Sequence, residues 1–231
     1  MRVVVLTGAG VSAESGVPTF RDADGLWEGH RVEEVATPEG FALQPDFVHR
    51  FYDARRAALA AVEPNLAHHA LARLEQYLGD DLLLVTQNVD DLHERAGSTR
   101  VVHMHGELRS ALCRACGGRT RWTDPLRDRP PCPRCGVMEL RPDVVWFGEM
   151  PYEMERILAA VDEADLFVSV GTSGAVYPAA AFVQWAAAAG ARTLELNLVP
   201  SEGTELFEEA RHGLAGHLVP AWVRELVGGR S

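Results

Sequence analysis

Four cysteines stand in two close pairs, Cys113-x-x-Cys116 and Cys132-x-x-Cys135, with fifteen residues between the pairs. That spacing falls in the zinc-ribbon range. Each pair can chelate one ion from a tight turn, and four thiolates complete a tetrahedron. Such a site has no open position for water or substrate, so the metal it implies is one structural Zn2+. Two disulfides or two redox dithiols are the alternative. A chain with no other cysteine, which does not read as secreted, favours zinc.

A second group of residues could handle a dinucleotide. Gly8-Ala9-Gly10-Val11-Ser12-Ala13 follows an apolar run and matches the G-x-G-x-x-G/A loop. Glycines let the backbone approach a pyrophosphate, and the following helix offers N–H groups at its positive end. No acidic residue closes a second strand about 20 positions on. The segment is therefore a variant cofactor loop or a ligand-free turn. Thr86-Gln87-Asn88-Val89-Asp90 ends another apolar run. Its amide and carboxylate groups suit a ribose or carboxamide, and Asn88 or Asp90 could equally cap the next helix. His103 and His105 close a third run, where a histidine is placed for general-base work or for a structural role. Gly171-Thr172-Ser173 and Asn197 close two more runs, as cofactor contacts or as turns.

These groups need a scaffold that brings strand ends together. Apolar runs at 3–6, 82–86, 101–104, 144–147, 166–170 and 193–196 read as buried parallel strands. Helical spacing marks 45–62, 65–78, 152–164, 178–189 and 220–227, three of these beginning at Pro. Alternation of strands and helices predicts an α/β fold, a Rossmann-like doubly wound parallel sheet. Residues 1–30, 80–107 and 141–231 would form that domain. Residues 31–79 read as a helical insertion and 108–140 as the zinc-ribbon module, together a smaller lobe.

Composition narrows the function. The net charge of −11 repels phosphate backbones and argues against nucleic acid as a partner. All 22 basic residues are arginine, which excludes a Schiff-base lysine and a Walker lysine; the bias reads as codon usage rather than function. The first apolar run stops after four residues, short of a signal peptide, and no apolar stretch is long enough for a bilayer. The expectation is a cytoplasmic protein with no membrane partner. A monomer is slightly favoured.

Taken in chain order, these residues resemble the sirtuin family over nearly the whole length. The resemblance rests on Gly8–Arg21 (with Phe20 and Arg21 at its end), Gln87-Asn88-Val89-Asp90, His105-Gly106, both cysteine pairs, Gly171-Thr172-Ser173 and Asn197. It implies an NAD-dependent protein deacylase in which NAD is a co-substrate and acyl-lysine proteins or peptides are the partners. By that likeness Gly8, Ala9, Gly10, Ser12 and Ala13 hold the pyrophosphate, and Phe20 and Arg21 cover the reacting ribose. Asn88 and Asp90 hold the nicotinamide side, and Gln87 binds ribose hydroxyls beside the catalytic His105. Gly171, Thr172, Ser173 and Asn197 take the phosphate and adenosine side. Val145, Phe147, Gly148 and Glu149 form the segment that pairs with substrate backbone. The acyl oxygen displaces nicotinamide, His105 takes a ribose proton, and O-acyl-ADP-ribose leaves with free lysine.

The acyl group is suggested by Ala36, Tyr52 and Arg55. They resemble the family branch that removes succinyl, malonyl and glutaryl groups, which carries a Tyr-x-x-Arg pair and a small alanine. Tyr52 and Arg55 are three apart and share a helical face. A guanidinium grips a carboxylate through two parallel N–H bonds, and a phenol adds a third donor. Removal of acetyl groups is expected alongside. A sirtuin-like mono-ADP-ribosyltransferase, a non-catalytic NAD- or zinc-binding module and a hydride-transfer enzyme are the competing readings.

Overall fold

A computed structural model describes residues 1–18, 26–27 and 29–229. Strand β1 (Val3–Thr7) is buried at all five positions, as a central parallel strand covered on both faces requires. Helix α1 (Gly10–Ala13) is a single turn after the glycine loop. The small lobe opens with the two-residue strands β2 (Leu26–Trp27) and β3 (His30–Arg31). Helices α2 (Val32–Val35), α3 (Pro38–Leu43) and α4 (Pro45–Ala58) follow. Proline sits in the first turn of α3 and of α4, where its missing N–H is harmless. Thr37 caps α3, its hydroxyl accepting from Gly40 N–H at 3.0 Å.

Helix α5 (Leu66–Leu78) starts at Asn65, whose side chain accepts from Ala67 N–H at 2.9 Å. It leads to β4 (Leu82–Thr86), the short helix α6 (Leu92–Arg95) and β5 (Val101–His103). Strands β6 (Gly106–Cys113), β7 (Arg119–Arg121) and β8 (Leu140–Val144) make a separate antiparallel sheet in the order β7-β6-β8. The chain returns through α7 (Met154–Asp162), β9 (Leu166–Val170), α8 (Phe182–Ala188), β10 (Arg192–Asn197), β11 (Glu209–His212) and α9 (Ala215–Gly228).

The main sheet is parallel throughout, in the order β11-β10-β9-β1-β4-β5. From β1 the chain builds first towards β4 and later towards β9, so the switch point lies between β1 and β9. Side chains alternate across this sheet. Val3 and Val5 join Leu71, Leu74 and Trp222 on the face covered by α5 and α9. Val4 and Leu6 join Ile157, Val161 and Phe182 on the face covered by α7 and α8. Among the described residues, no helix is long and apolar enough to cross a membrane.

Among the elements that differ from the sequence expectation are an expected strand, an edge strand and the start of the last helix. The run 144–147 is not a strand of the parallel sheet. Leu140–Val144 pairs with β6 instead, and the chain beyond it is a turn in which Gly148 takes φ +90. The run is apolar because Trp146, only 2% exposed, fills the small-lobe core. Strand β11 has the sequence Glu-Ala-Arg-His and lies on the sheet edge, so no apolar run marks it. Helix α9 begins at Ala215 and carries Pro220 in its interior rather than in its first turn.

Candidate active site and metal centre

The four cysteines converge. Their sulfurs all lie within 4.8 Å of one another, with Cys113–Cys135 at 3.7 Å and Cys116–Cys132 at 3.9 Å. A tetrahedron with Zn–S bonds of about 2.3 Å has edges of about 3.8 Å, so the donor set fits one structural zinc. The two turns that present it are alike. Gly117 N–H returns to Cys113 C=O and Gly136 N–H to Cys132 C=O, both at 2.8 Å. Both glycines take positive φ, +67 and +76. Cys113 and Cys132 are buried with Leu126, Ala111 and Leu140 in the module's own small core.

The loops after β1 and β9 touch at the switch point. Gly8 N–H donates to Val170 C=O at 3.0 Å, and Gly10 N–H to Gly171 C=O at 2.9 Å. A Cβ on Gly8 would stand 2.8 Å from Gly171 O, and one on Gly171, at φ +62, would stand 2.4 Å from Val11 N. These glycines are therefore required by the contact between the two loops, whatever ligand lies above them. Asn197 braces the second loop, its Nδ2 donating to Thr172 C=O at 2.7 Å. A cavity of about 580 Å3 opens over both loops and runs into the small lobe, a size usual for cofactor sites.

Behind the first loop lies a buried polar chain. Asn65 N–H donates to His68 Nδ1 at 3.2 Å, which leaves Nε2–H to donate to Ser12 Oγ at 3.3 Å. Ser12 Oγ also accepts from Asn88 Nδ2 at 3.1 Å and donates to Asp90 Oδ2 at 3.0 Å. Asp90 Oδ1 accepts from Leu92 N–H at 3.1 Å, so this carboxylate does help to start α6. Burial raises the Asp90 pKa, against the hydrogen bonds from Leu92 and Ser12. Burial lowers His68 to about 4. His68 is thus the neutral end of a chain that fixes Asn88 and Asp90.

The two histidines after β5 meet different partners. His103 bonds Asn88 C=O at 3.2 Å and Glu94 Oε1 at 2.8 Å. Burial alone would lower its pKa, but the bond and charge of Glu94 raise it, which favours a structural imidazolium. His105 Nδ1 donates to Gln87 C=O at 3.1 Å, which leaves Nε2 as the acceptor. Burial lowers its pKa, so it is neutral near pH 7 and lines the cavity as a competent base.

At the small-lobe end, Ala36, Tyr52 and Arg55 line the same cavity. Tyr52 Oη accepts from Trp146 Nε1 at 2.9 Å, so its own O–H is the donor it offers. Burial pushes its phenol well above the ordinary value, which keeps that proton in place. The Arg55 guanidinium lies 4.2 Å over the Trp27 ring and 5.4 Å from Phe51. Ala36 is 4% exposed, and its C=O accepts from Phe147 N–H at 2.9 Å.

The cavity brings together Gly8, Ala9, Gly10, Ala13, Gln87, Asn88, Asp90, His105, Gly171, Thr172, Ser173 and Asn197 with Ala36, Tyr52, Arg55, Val145, Phe147, Gly148 and Glu149. Ser12 is buried behind the wall, its hydroxyl committed to Asp90. Phe20 and Arg21 lie outside the described residues. Glu149 lines the cavity and also holds its own loop, its Oε2 accepting from Arg141 at 2.8 Å and from Trp146 N–H at 2.9 Å. Sequence reasoning missed Trp27, His68 and Arg141. Trp27 stands in a two-residue strand, and His68 looks like any polar residue on an amphipathic helix; no local pattern marks either.

The Sir2 family pattern matches residues 8–178. The chain is 54% identical over 230 residues to a protein of Pasteurella multocida described as an NAD-dependent protein deacylase, covering 98% of each. A solved Sir2 homolog–NAD complex superposes with a TM-score of 0.90 at 42% identity, covering 100% of this chain and 91% of that one. A Sir2 protein solved with a deacetylated p53 peptide and 3′-O-acetyl ADP-ribose superposes with a TM-score of 0.83 at 28% identity, covering 99% and 94%. The chain belongs to the Sir2 family.

Proposed function

We propose that this protein is an NAD-dependent protein-lysine deacylase that removes succinyl and malonyl groups as well as acetyl. One observation carries the acyl reading. Tyr52, Arg55 and Ala36 line the cavity that also holds His105 and the two glycine loops. Arg55 supplies a planar fork for a distal carboxylate, Tyr52 supplies a further donor, and Ala36 leaves room for the longer chain. Stacking on Trp27 pre-orients the guanidinium, which reduces the entropy lost when a ligand binds.

The donor set fits NAD. Asn88, Asp90 and Gln87 stand at one strand end for a ribose and carboxamide, while the loops after β1 and β9 meet at the switch point where dinucleotides bind in such sheets. When bound, NAD supplies the ribose carbon that accepts the acyl oxygen, with nicotinamide as leaving group. The protein's own part follows from its groups. Gln87 C=O fixes the His105 tautomer, so Nε2 can take a hydroxyl proton. Ser12 and His68 hold Asn88 and Asp90 against the sheet. We take the segment 145–148, which lines the cavity, to be where the substrate peptide docks. The zinc is remote from this chemistry in kind, because a closed four-thiolate site has no free position.

The partners are acyl-lysine proteins. A net charge of −11 disfavours nucleic acid, and free thiols in metal-binding geometry suit a reducing compartment such as the cytoplasm. We take the working unit to be a monomer. The test is to incubate zinc-loaded protein with matched acetyl- and succinyl-lysine peptides, with and without NAD, and follow peptide mass. NAD-dependent loss of both acyl masses is expected. Loss of acetyl alone would remove the acyl-pocket reading, and ADP-ribose mass on protein without deacylation would replace the activity.

A further inference from the structure

Helix α4 presents two pairs at three-residue spacing, turned about 100° apart around the axis. Tyr52 and Arg55 face the cavity. Asp53 and Arg56 face the cysteine module and form a buried ion pair at 2.7 Å, with side chains 7% and 4% exposed. The module closes on that pair with backbone groups. Asp53 Oδ1 accepts from Leu126 N–H at 2.8 Å and Oδ2 from Arg127 N–H at 3.1 Å. Arg56 Nη1 donates weakly to Asp124 C=O at 3.4 Å. Arg56 Nε donates to Leu108 C=O at 2.6 Å, and Leu108 N–H donates in turn to Val89 C=O at 2.8 Å, between Asn88 and Asp90.

The module side of this contact depends on the cysteines. Leu126 is fully buried against Cys113 and Cys132 in the module core. The segment that supplies the two N–H groups is therefore ordered by the same residues that would hold zinc. An uncompensated buried charge is strongly unfavourable, so neither partner tolerates loss of the other without local rearrangement. Rearrangement at Asp53 or Arg56 displaces the residues immediately before each, Tyr52 and Arg55.

We propose that Asp53 and Arg56 are positioning residues for the acyl pocket, coupling the order of the cysteine module to the placement of Tyr52 and Arg55. The proposal rests on the reading that Tyr52 and Arg55 grip the acyl carboxylate. It assigns the module a part in acyl selectivity, and Asp53, whose hydrogen bonds run to Arg56 and the module backbone, is the residue that separates that part from NAD handling. Neither Asp53 nor Arg56 lines the cavity.

The test uses the zinc-loaded full chain and its variants Asp53→Asn, Arg56→Gln and Arg55→Met. Asp53→Asn is isosteric and keeps one carbonyl acceptor for Leu126 N–H; Arg56→Gln breaks the pair from the other side should the first variant fold poorly. Binding of a labelled succinyl-lysine peptide is read by polarisation without NAD. Steady-state kinetics on succinyl and acetyl peptides, KM for NAD, and zinc per chain are measured beside it. The expected result is succinyl-peptide binding weakened about tenfold, equivalent to about 1.4 kcal/mol, with KM raised and kcat little changed. In Asp53→Asn, acetyl-peptide kinetics and KM for NAD stay within about twofold, and zinc remains bound. Equal losses on both peptides, or a raised KM for NAD in Asp53→Asn, would show a merely structural role and overturn the proposal. If Arg55→Met lowers the succinyl-to-acetyl ratio and the Asp53 and Arg56 variants do not, the positioning proposal alone fails. If Arg55→Met leaves that ratio unchanged, the carboxylate reading fails and this proposal falls with it.

Discussion

Replacing Arg55 by methionine separates two substrates that differ by one carboxylate. Arg55 is 8% exposed, and its guanidinium is stacked on Trp27 at 4.2 Å. Methionine keeps much of the stem that packs there and removes the fork. A hydrogen bond to a charged group contributes about 1.5–3 kcal/mol. At about 1.4 kcal/mol per decade, the succinyl substrate should lose about ten- to a hundredfold in kcat/KM. The loss should fall mainly on KM, because the carboxylate is remote from the bond that breaks and binds alike in ground and transition states. Acetyl peptide has nothing for the fork to hold, so its kcat/KM should move by less than about twofold. The assay is peptide mass or nicotinamide release on matched peptides at saturating NAD. An equal fall on both peptides would refute the reasoning, since it would mean that Arg55 supports the fold of α4 and not the acyl chain.

Other consequences follow from the same geometry. The reaction needs neutral His105, whose pKa lies below its ordinary value; kcat/KM should stay flat near neutrality and fall on an acid limb with a midpoint below 6.5. A midpoint above 7 would contradict the burial argument. His68 is buried and lowered to about 4, so the unfolded chain binds a proton that the folded chain does not between about pH 4 and 6.5. That contribution to stability is complete above pH 6.5 and is lost as pH falls, by about 3 kcal/mol at pH 4. Thermal melts of the wild type against His68→Asn should converge at low pH, and parallel curves would exclude the effect. Gly171→Ala places a Cβ against Val11 N at 2.4 Å and forces φ +62 on alanine, so NAD binding should weaken at least tenfold through displacement of the β1 loop. Calorimetry with unchanged NAD affinity would show that the two loops can part freely. Chelation of zinc should expose the segment 108–140 to protease while the parallel sheet stays protected, and uniform digestion would mean that the module is not a separate cooperative unit.

The chemistry-bearing parts of this chain were legible because each is local. Cys113, Cys116, Cys132 and Cys135 carry their spacing in the sequence, and the glycine loop follows a run that had to be a buried strand. His105 stood out only as one of two histidines after β5. The structure distinguishes them by what each ring nitrogen meets, a carbonyl for His105 and a carbonyl plus Glu94 for His103. What stayed hidden is long-range or polar. Trp27 serves Arg55 across the small lobe, and Ser12 faces inward to Asp90 although its motif position suggests a ligand contact. No local pattern marks Asp53 and Arg56, over which the backbone of the cysteine module closes. Run 144–147 misled because apolar content reports burial and not pairing; Trp146 is buried in a turn.

The central claim is that acyl removal and NAD cleavage are one reaction on this chain. The most direct measurement follows succinyl-lysine peptide, nicotinamide and O-succinyl-ADP-ribose together by mass spectrometry, with His105→Ala alongside. One nicotinamide and one O-succinyl-ADP-ribose per lysine released, abolished in the variant, is the predicted result. Free succinate with NAD intact, or nicotinamide released while the peptide keeps its acyl group, would contradict it.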